Sequence, residues 1–149
     1  MKPYPYMLPS DKQFSDMLKA YNIKKASMVV VYCSGSQFWA ARVYWMFKVY
    51  GFSDVFILNG GLQKWCADGR PTESVLHPGD EEDYAVTLNT DILRTFEQIV
   101  ALEAEERHPD LQLIDSRGQP TYDAGHIPNS RNLPFSLFVN GDSTVKDPA

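Results

Sequence analysis

The spacing of apolar residues along the chain predicts alternating helices and strands. A helical spacing begins after Ser10, where the apolar residues that share one face are Phe14, Met17, Leu18 and Tyr21. Ser10 and Gln13 have the spacing of a capping box, so we expect a helix from Ser10 to about Asn22. Residues 28–32 are an apolar run, mostly β-branched or aromatic, without alternation, which predicts a strand covered on both faces, as in a parallel sheet.

The next elements repeat this order. Residues 38–50 are apolar nearly all round and stop at Gly51, which predicts a buried helix with a glycine C-cap. Residues 54–58 predict a second strand, and residues 62–67 predict a short helix. Strand, helix, strand, helix is the order expected of an α/β fold with a parallel sheet.

The pattern starts again after a polar stretch. Residues 72–89, rich in Pro, Gly, His and acidic residues at the start, predict a linker between segments 1–71 and 90–149. Thr90 is the predicted cap of a helix that runs to about Glu106. Residues 111–115 predict a strand, and we expect the last ten residues to be loosely held.

Composition and charge narrow the function classes. The chain has 149 residues, a formal net charge of −5 and scattered basic residues, which argues against a nucleic-acid partner. No apolar run reaches the roughly 18 residues of a membrane span. The first residues resemble neither a signal peptide nor a transit peptide, and two distant cysteines suit a reducing compartment. We therefore expect a protein of the cytosol or the mitochondrial matrix, without a membrane partner.

Cys33 is the candidate nucleophile. It ends a predicted strand and opens a small polar loop before a helix, where backbone N–H groups and the positive end of the helix would favour a thiolate. The alternative is that Cys33 is a small buried apolar residue without chemistry. A phosphatase-type loop is excluded because Trp39, not arginine, stands six residues after the cysteine. Cys66 and the three histidines lack ligand spacing, so we expect no metal site.

Several short motifs together resemble the tandem rhodanese family, the thiosulfate and 3-mercaptopyruvate sulfurtransferases. They are Met7-Leu8-Pro9-Ser10, the strand ending at Cys33, Ala41-Arg42-Val43-Tyr44-Trp45-Met46, Asn59-Gly60-Gly61-Leu62-Gln63-Lys64-Trp65, Asp115-Ser116-Arg117 and Gly125-His126-Ile127-Pro128. The resemblance covers about residues 5–135 and implies parallel sheets flanked by helices. It also implies transfer of a sulfane sulfur from a small anionic donor, through a cysteine persulfide, to cyanide or a thiol. No cofactor is implied.

The resemblance also assigns roles. Cys33 would be the nucleophile, and the backbone amides of the loop residues that follow it would hold the persulfide; these residues are Ser34, Gly35, Ser36 and Gln37. The Ser and Gln side chains would add donors, and Arg117 would either bind substrate or link Asp115 to its loop. The family commonly has Asp at the position of Cys33, and its usual catalytic loop lies beyond the matching part of this chain. An inactive rhodanese-like binding module, or a truncated remnant, is therefore the alternative to an enzyme.

The order of the segments suggests how they pack. The chain joins the second half of one rhodanese-like domain to the first half of the next. The halves would either form a circularly permuted domain, with 111–115 beside 28–32 in one sheet, or stay an incomplete pair. A swapped homodimer, in which each half finds its complement on a second copy, is a third arrangement.

Overall fold

The computed structural model describes residues 7–75, 85–104 and 111–147. The first part contains α1 (Asp11–Ala20), β1 (Val29–Val31), α2 (Gln37–Val49), β2 (Val55–Ile57) and α3 (Gly61–Ala67). The second contains a 3₁₀ helix (Thr90–Ile92), α4 (Phe96–Ala104), β3 (Ile114–Asp115), α5 (Gln119–Asp123), β4 (Arg131–Asn132) and a second 3₁₀ helix (Phe135–Leu137). None of the helices in these ranges is long and apolar enough to cross a membrane.

The predicted capping box at the start of α1 is confirmed. Ser10 Oγ accepts a hydrogen bond from the Gln13 amide at 3.3 Å, and Gln13 Oε1 accepts one from the Ser10 amide at 2.9 Å. Both otherwise unpaired amides are thereby satisfied, which sets the first turn. The helix ends at Ala20, two residues before the predicted Asn22.

The strands form two separate two-stranded parallel sheets. β1 pairs with β2, with Val29 opposite Val55 and Val31 opposite Ile57, and β3 pairs with β4. The prediction that segment 111–115 joins the sheet beside 28–32 is therefore wrong. β4 follows β3 after a single short helix, so the local pairing closes a shorter loop than pairing with β1 would.

An aromatic core lies between α1, α2 and the first sheet. Its buried members are Phe14, Leu18, Phe47, Tyr50, Phe52, Val55 and Val86. The Phe14 ring stacks on Tyr50 with centroids 4.1 Å apart and meets Phe47 edge-on at 5.4 Å. Val29 and Val31 pack against this core from β1. The core therefore belongs to the first half of the chain.

The carboxyl end of the predicted linker packs on the same core. Val86 is buried, and the Asn89 amide donates to the Val49 carbonyl oxygen at 2.8 Å at the end of α2. Residues 85–89 thus continue the first half structurally. Residues 76–84 of the predicted linker lie outside the described residues.

The helix after the linker begins later than predicted. Asn89, not Thr90, caps the 3₁₀ helix by accepting a hydrogen bond from the Asp91 amide at 2.9 Å. Thr95 and Gln98 then form a second capping box, with Thr95 Oγ1 accepting at 3.3 Å and Gln98 Oε1 at 2.8 Å. α4 therefore starts at Phe96, because Thr95 satisfies the amides of the first turn. The predicted end at Glu106 lies outside the described residues.

The carboxyl-terminal segment is more ordered than predicted. Asn140 and Thr144 are bonded through their backbone at 2.8 Å, and the Lys146 amide donates to the Phe138 carbonyl oxygen at 2.9 Å. The Val145 amide donates to Asn59 Oδ1 at 2.7 Å, which ties this segment to the turn after β2. The expectation of a loose tail is wrong for residues 140–147, and residues 148–149 lie outside the described ranges.

The first sheet is covered on one face. Val29 and Val31 face the core, whereas Val30, Tyr32 and Phe56 are 50%, 57% and 48% exposed. The prediction that the strand at 28–32 is covered on both faces is therefore wrong for the chain as described. Such a burial pattern is unusual for a parallel sheet, which is normally packed on both sides.

Candidate active site at Cys33

Cys33 lies in the loop that joins β1 to α2. Its side chain is half-buried, and its carbonyl oxygen accepts a hydrogen bond from the Leu62 amide at 2.9 Å in the first turn of α3. Gly61 comes so close that a Cβ atom built on it would lie 2.5 Å from the Cys33 carbonyl oxygen. The loop is therefore held from the side of α3, as well as by the strand before it and the helix after it.

The Cys33 thiol contacts carbonyl oxygens. Sγ lies 3.0 Å from the Ser36 carbonyl oxygen and 3.4 Å from that of Gly35, so the sulfur acts as a hydrogen-bond donor. This geometry suits a neutral thiol, because a thiolate would face two partial negative charges. The loop would have to turn the sulfur away from these carbonyls before Cys33 could act as an anion.

The backbone amides that were predicted to hold a persulfide are available. Among the described residues, the amides of Ser34, Gly35, Ser36 and Gln37 have no hydrogen-bond acceptor. Nothing lies within 4 Å of a Cβ built on Gly35, so the loop is open there. Free amides before a helix of thirteen residues are a local site for an anion.

The side chains of Ser36 and Gln37 are used inside the protein. Ser36 Oγ caps α2 by accepting a hydrogen bond from the Phe38 amide at 3.3 Å. Gln37 is buried, and its Nε2 donates to the Leu58 carbonyl oxygen at 3.3 Å, while its Oε1 has no hydrogen-bond partner among the residues that the structure describes. The side-chain amide of Gln37 therefore connects α2 to the end of β2. It is not a donor to a ligand in the Cys33 loop.

Arg117 is engaged with Asp115. Its Nε lies 3.0 and 2.9 Å from the two Asp115 carboxylate oxygens, and its Nη2 donates to Asp115 Oδ2 at 2.6 Å and to the Gly125 carbonyl oxygen at 2.8 Å. These hydrogen bonds, foremost the side-chain ones, lower the pKa of Asp115 and raise that of Arg117. This is the structural link that the Asp-x-Arg motif predicts as one alternative.

The structure does not join Arg117 to the Cys33 loop. Cys33 follows β1 of the first sheet, whereas Arg117 follows β3 of the second. No hydrogen bond or ion pair connects Arg117 with residues 33–37 in the part of the chain that the structure describes. The predicted site residues thus form two groups, each at the carboxyl end of the first strand of its own sheet.

A cleft of about 710 Å³ lies beside Arg117, between residues 113–117, which include β3, and the loop at 125–130. His126 lies on its wall, with its ring stacked on Tyr122 at 3.7 Å and Nδ1 2.9 Å from the Tyr122 carbonyl oxygen. The Tyr122 hydroxyl donates to the Ser130 carbonyl oxygen at 2.7 Å. These contacts hold the loop backbone together.

Sequence reasoning missed Gly61 as a positioning residue of the site. Its φ of +56° disfavours a side chain, and its approach to the Cys33 carbonyl oxygen leaves no room for one. The Gly60-Gly61 pair after a predicted strand is visible in the sequence, but by itself it predicts only a turn. The contact between the turn and the Cys33 loop depends on the pairing of β1 with β2.

Comparison with known proteins agrees with this fold. The sequence matches the Rhodanese-like domain over residues 2–68 and 99–148, on either side of a gap that contains the predicted linker. The chain belongs to the rhodanese-like family. The bovine thiosulfate sulfurtransferase is 36% identical over 98% of this chain, and the rat 3-mercaptopyruvate sulfurtransferase is 30% identical over 98%. The match covers 53% and 52% of those two proteins, so the chain spans about half the length of the curated relatives it matches.

Solved structures show the same likeness. The structure of SseA from Escherichia coli, described as a 3-mercaptopyruvate sulfotransferase with a rhodanese fold, matches with a TM-score of 0.86 and 26% identity. That match covers 98% of this chain and 57% of SseA. Tum1 from Saccharomyces cerevisiae matches with a TM-score of 0.78 and 23% identity over 97% of this chain and 53% of Tum1, which supports the fold alone.

Proposed function

We propose that the chain is a sulfurtransferase in which Cys33 carries the sulfur. The observation that supports this most is the 36% identity with a thiosulfate sulfurtransferase over nearly the whole chain. Cys33 adds a half-buried thiol in a loop of unpaired amides before α2. The donor would be thiosulfate or 3-mercaptopyruvate, and the acceptor would be cyanide or a thiol.

The proposed reaction has two steps. After the Cys33 thiol loses its proton to solvent, the sulfur attacks the outer sulfur of thiosulfate; the S–S bond of thiosulfate breaks and sulfite leaves. With 3-mercaptopyruvate the C–S bond breaks instead, and the resulting enolate takes the persulfide proton to give pyruvate. Cyanide then attacks the outer sulfur of the persulfide, which releases thiocyanate and returns the Cys33 thiolate.

Backbone groups of the chain would stabilise the negative charge of the persulfide. The amides of residues 34–37 are free to donate to it, and the N-terminus of α2 favours a negative charge at that end. Reorientation of the sulfur away from the Ser36 carbonyl oxygen would accompany the first step. Residues 33–37 contain no basic side chain, so the neutral loop favours the less charged donor, 3-mercaptopyruvate.

Intact mass tests this proposal. The purified chain is incubated with thiosulfate or 3-mercaptopyruvate and then with cyanide, beside the variants Cys33→Ser and Cys66→Ser. We expect one added sulfur atom in the unsubstituted chain and in Cys66→Ser, removed by cyanide, and none in Cys33→Ser. A folded chain that gains no sulfur from either donor would refute the enzyme assignment.

The second candidate is a rhodanese-like binding module without catalysis. It is favoured by the Cys33 sulfur, which donates to two carbonyl oxygens as a neutral thiol does. The two candidates differ in thiol reactivity. An activated Cys33 would react with iodoacetamide near neutral pH faster than the exposed Cys66, whereas an inert Cys33 would react more slowly.

A further inference from the structure

Among the described residues, the first strand of each two-stranded sheet, β1 or β3, is unpaired along one edge. In the first sheet the bonds to the β2 side come from Val29 and Val31, through the Asp54 carbonyl oxygen at 2.9 Å and the Leu58 amide at 3.0 Å. The alternation of a strand therefore turns the backbone groups of Val30 to the other edge. The described residues place no strand on that edge.

The second sheet repeats this arrangement. Leu113 and Asp115 accept hydrogen bonds from Arg131 and Leu133 on the β4 side, both at 2.9 Å, so Ile114 faces the opposite edge. The side chains of Val30 and Ile114 are 50% and 51% exposed. Unpaired strand edges with apolar side chains are templates for pairing with another strand.

The amount of exposed apolar surface indicates a large missing contact. Among the described residues, nineteen large apolar side chains are exposed, against nine buried hydrophobic residues in the core. Exposed apolar surface of this extent marks an interaction surface.

We propose that two copies of the chain associate by pairing β1 of each copy in parallel with β3 of the other. Each of the two composite sheets would have the strand order β2, β1, β3, β4. The partner is a second copy of the chain, because that copy carries the complementary strand edge. The two copies make two identical contacts, β1 with β3 and β3 with β1, so no further copy can add at these edges. Four strands would also replace two-stranded sheets, which are marginally stable by themselves.

The pairing would bring Arg117 of one copy to the Cys33 loop of the other. Cys33 lies three residues after Val30, and Arg117 lies three residues after Ile114. Hydrogen bonding across the two edges places Val30 opposite either Leu113 or Asp115, and in both registers Arg117 is within one residue of the level of Cys33. The carboxyl ends of neighbouring parallel strands share one edge of the sheet.

The second copy would thus supply the cation that residues 33–37 lack. Arg117 holds Asp115 through Nε and Nη2, and its Nη1 makes no hydrogen bond within the described ranges. This part of the proposal rests on the proposed function, because it gives Arg117 an anionic sulfur donor to bind. The association itself does not depend on it.

Light-scattering mass and two proline variants test the association. We expect about twice 16.9 kDa for the unsubstituted chain. Val30→Pro and Ile114→Pro remove amides on the unpaired edges and leave the bonds to β2 and β4 in place, so each variant should fall to the monomer mass. Val75→Lys, at an apolar side chain that is 66% exposed outside both sheets, should remain a dimer. Circular dichroism checks that each variant is folded.

Mixing the two proline variants makes the test specific. The Ile114→Pro chain keeps its β1 edge and the Val30→Pro chain keeps its β3 edge, so the mixture should regain the dimer mass with one composite sheet. Sulfur loading in the mixture should require Cys33 on the Ile114→Pro chain. Adding Cys33→Ser to that chain should abolish loading, whereas adding Cys66→Ser to it should leave loading unchanged.

Other outcomes would overturn the proposal. A monomer at every concentration, a dimer that persists in both proline variants, or a mass that grows without limit would each exclude the closed exchange. The readouts also separate the two proposals. A dimer that dissociates as expected but takes up no sulfur would refute the proposed function alone, and a monomer that takes up sulfur would refute the association alone.

Discussion

At the residue scale, the position of the Cys33 loop depends on Gly61. The two residues meet across the ends of β1 and β2, where the Leu62 amide binds the Cys33 carbonyl oxygen at 2.9 Å. A side chain on Gly61 would collide with that oxygen, and its φ of +56° disfavours any residue with a Cβ. Gly61 therefore shapes the candidate site without contacting a substrate.

Gly61→Ala should lower the free energy of unfolding by about 2–5 kcal/mol, because the strain of a positive φ adds to the collision with the Cys33 carbonyl oxygen. Sulfur loading of Cys33 should slow as its loop shifts. Gly69→Ala is the matched control: Gly69 has φ of +69° but nothing within 4 Å of a built Cβ, so it should cost only about 1–2 kcal/mol and leave loading unchanged. Urea unfolding and intact mass measure both effects. Equal losses in the two variants would contradict the role given to Gly61.

At the element scale, side-chain caps set where α1 and α4 begin. α1 and α4 both begin with a reciprocal pair, Ser10 with Gln13 and Thr95 with Gln98. The first pair was read correctly from the sequence. The second was overlooked, because apolar residues at Ile92 and Leu93 extended the helical spacing towards Thr90.

Thr95→Ala should reduce the free energy of unfolding by about 1 kcal/mol, since it leaves the Gln98 amide without its acceptor. Thr90→Ala is the control, because Asn89 and not Thr90 caps the preceding turn. That substitution should change stability by no more than about 0.5 kcal/mol. The urea concentrations at the unfolding midpoints of the two variants measure this difference. A larger loss of stability for Thr90→Ala than for Thr95→Ala would place the start of the helix at Thr90, as the sequence pattern predicts.

At the scale of the whole molecule, stability is concentrated in the first half. The buried cluster unites α1, α2, the first sheet and Val86, whereas none of the described residues beyond Val86 is fully buried and apolar. The second half is attached to the first through the Phe38–Phe135 ring contact at 5.9 Å and the Asn59–Val145 hydrogen bond.

Phe14→Ala should lower the free energy of unfolding by about 3–5 kcal/mol, because it empties the centre of the aromatic cluster. Phe96→Ala, at a ring that is 78% exposed, should change it by about 0.5 kcal/mol or less. Thermal unfolding followed by near-ultraviolet circular dichroism reports on the aromatic packing directly. A small effect of Phe14→Ala would mean that the core is not the main source of stability.

The elements that could be predicted are those whose sequence signals lie within the element or directly beside it. Helix α1, the strands at 29–31 and 55–57, and helix α2 were all expected within two residues of their observed bounds. The candidate loop at Cys33 was expected between β1 and α2, where it lies. The inward turn of Gln37 and the ordered segment at 140–147 were not expected, because each depends on a partner far away in the chain. The direction of the thiol was not expected either, although its partners lie only two and three residues away, because the sequence pattern does not show which way a loop side chain turns.

The sequence by itself determined the order of helices and strands in residues 11–67, the N-terminal cap of α1, and the family of the chain. Capping, periodicity and turn chemistry act within a few residues, so their signals are readable in the order of the amino acids. The tertiary structure decided which strands pair, which faces are left exposed, and which carbonyl oxygen the Gln37 side chain contacts. Those outcomes depend on competition between distant partners, and β3 pairs with β4 and not with β1 because β4 is reached through a shorter loop.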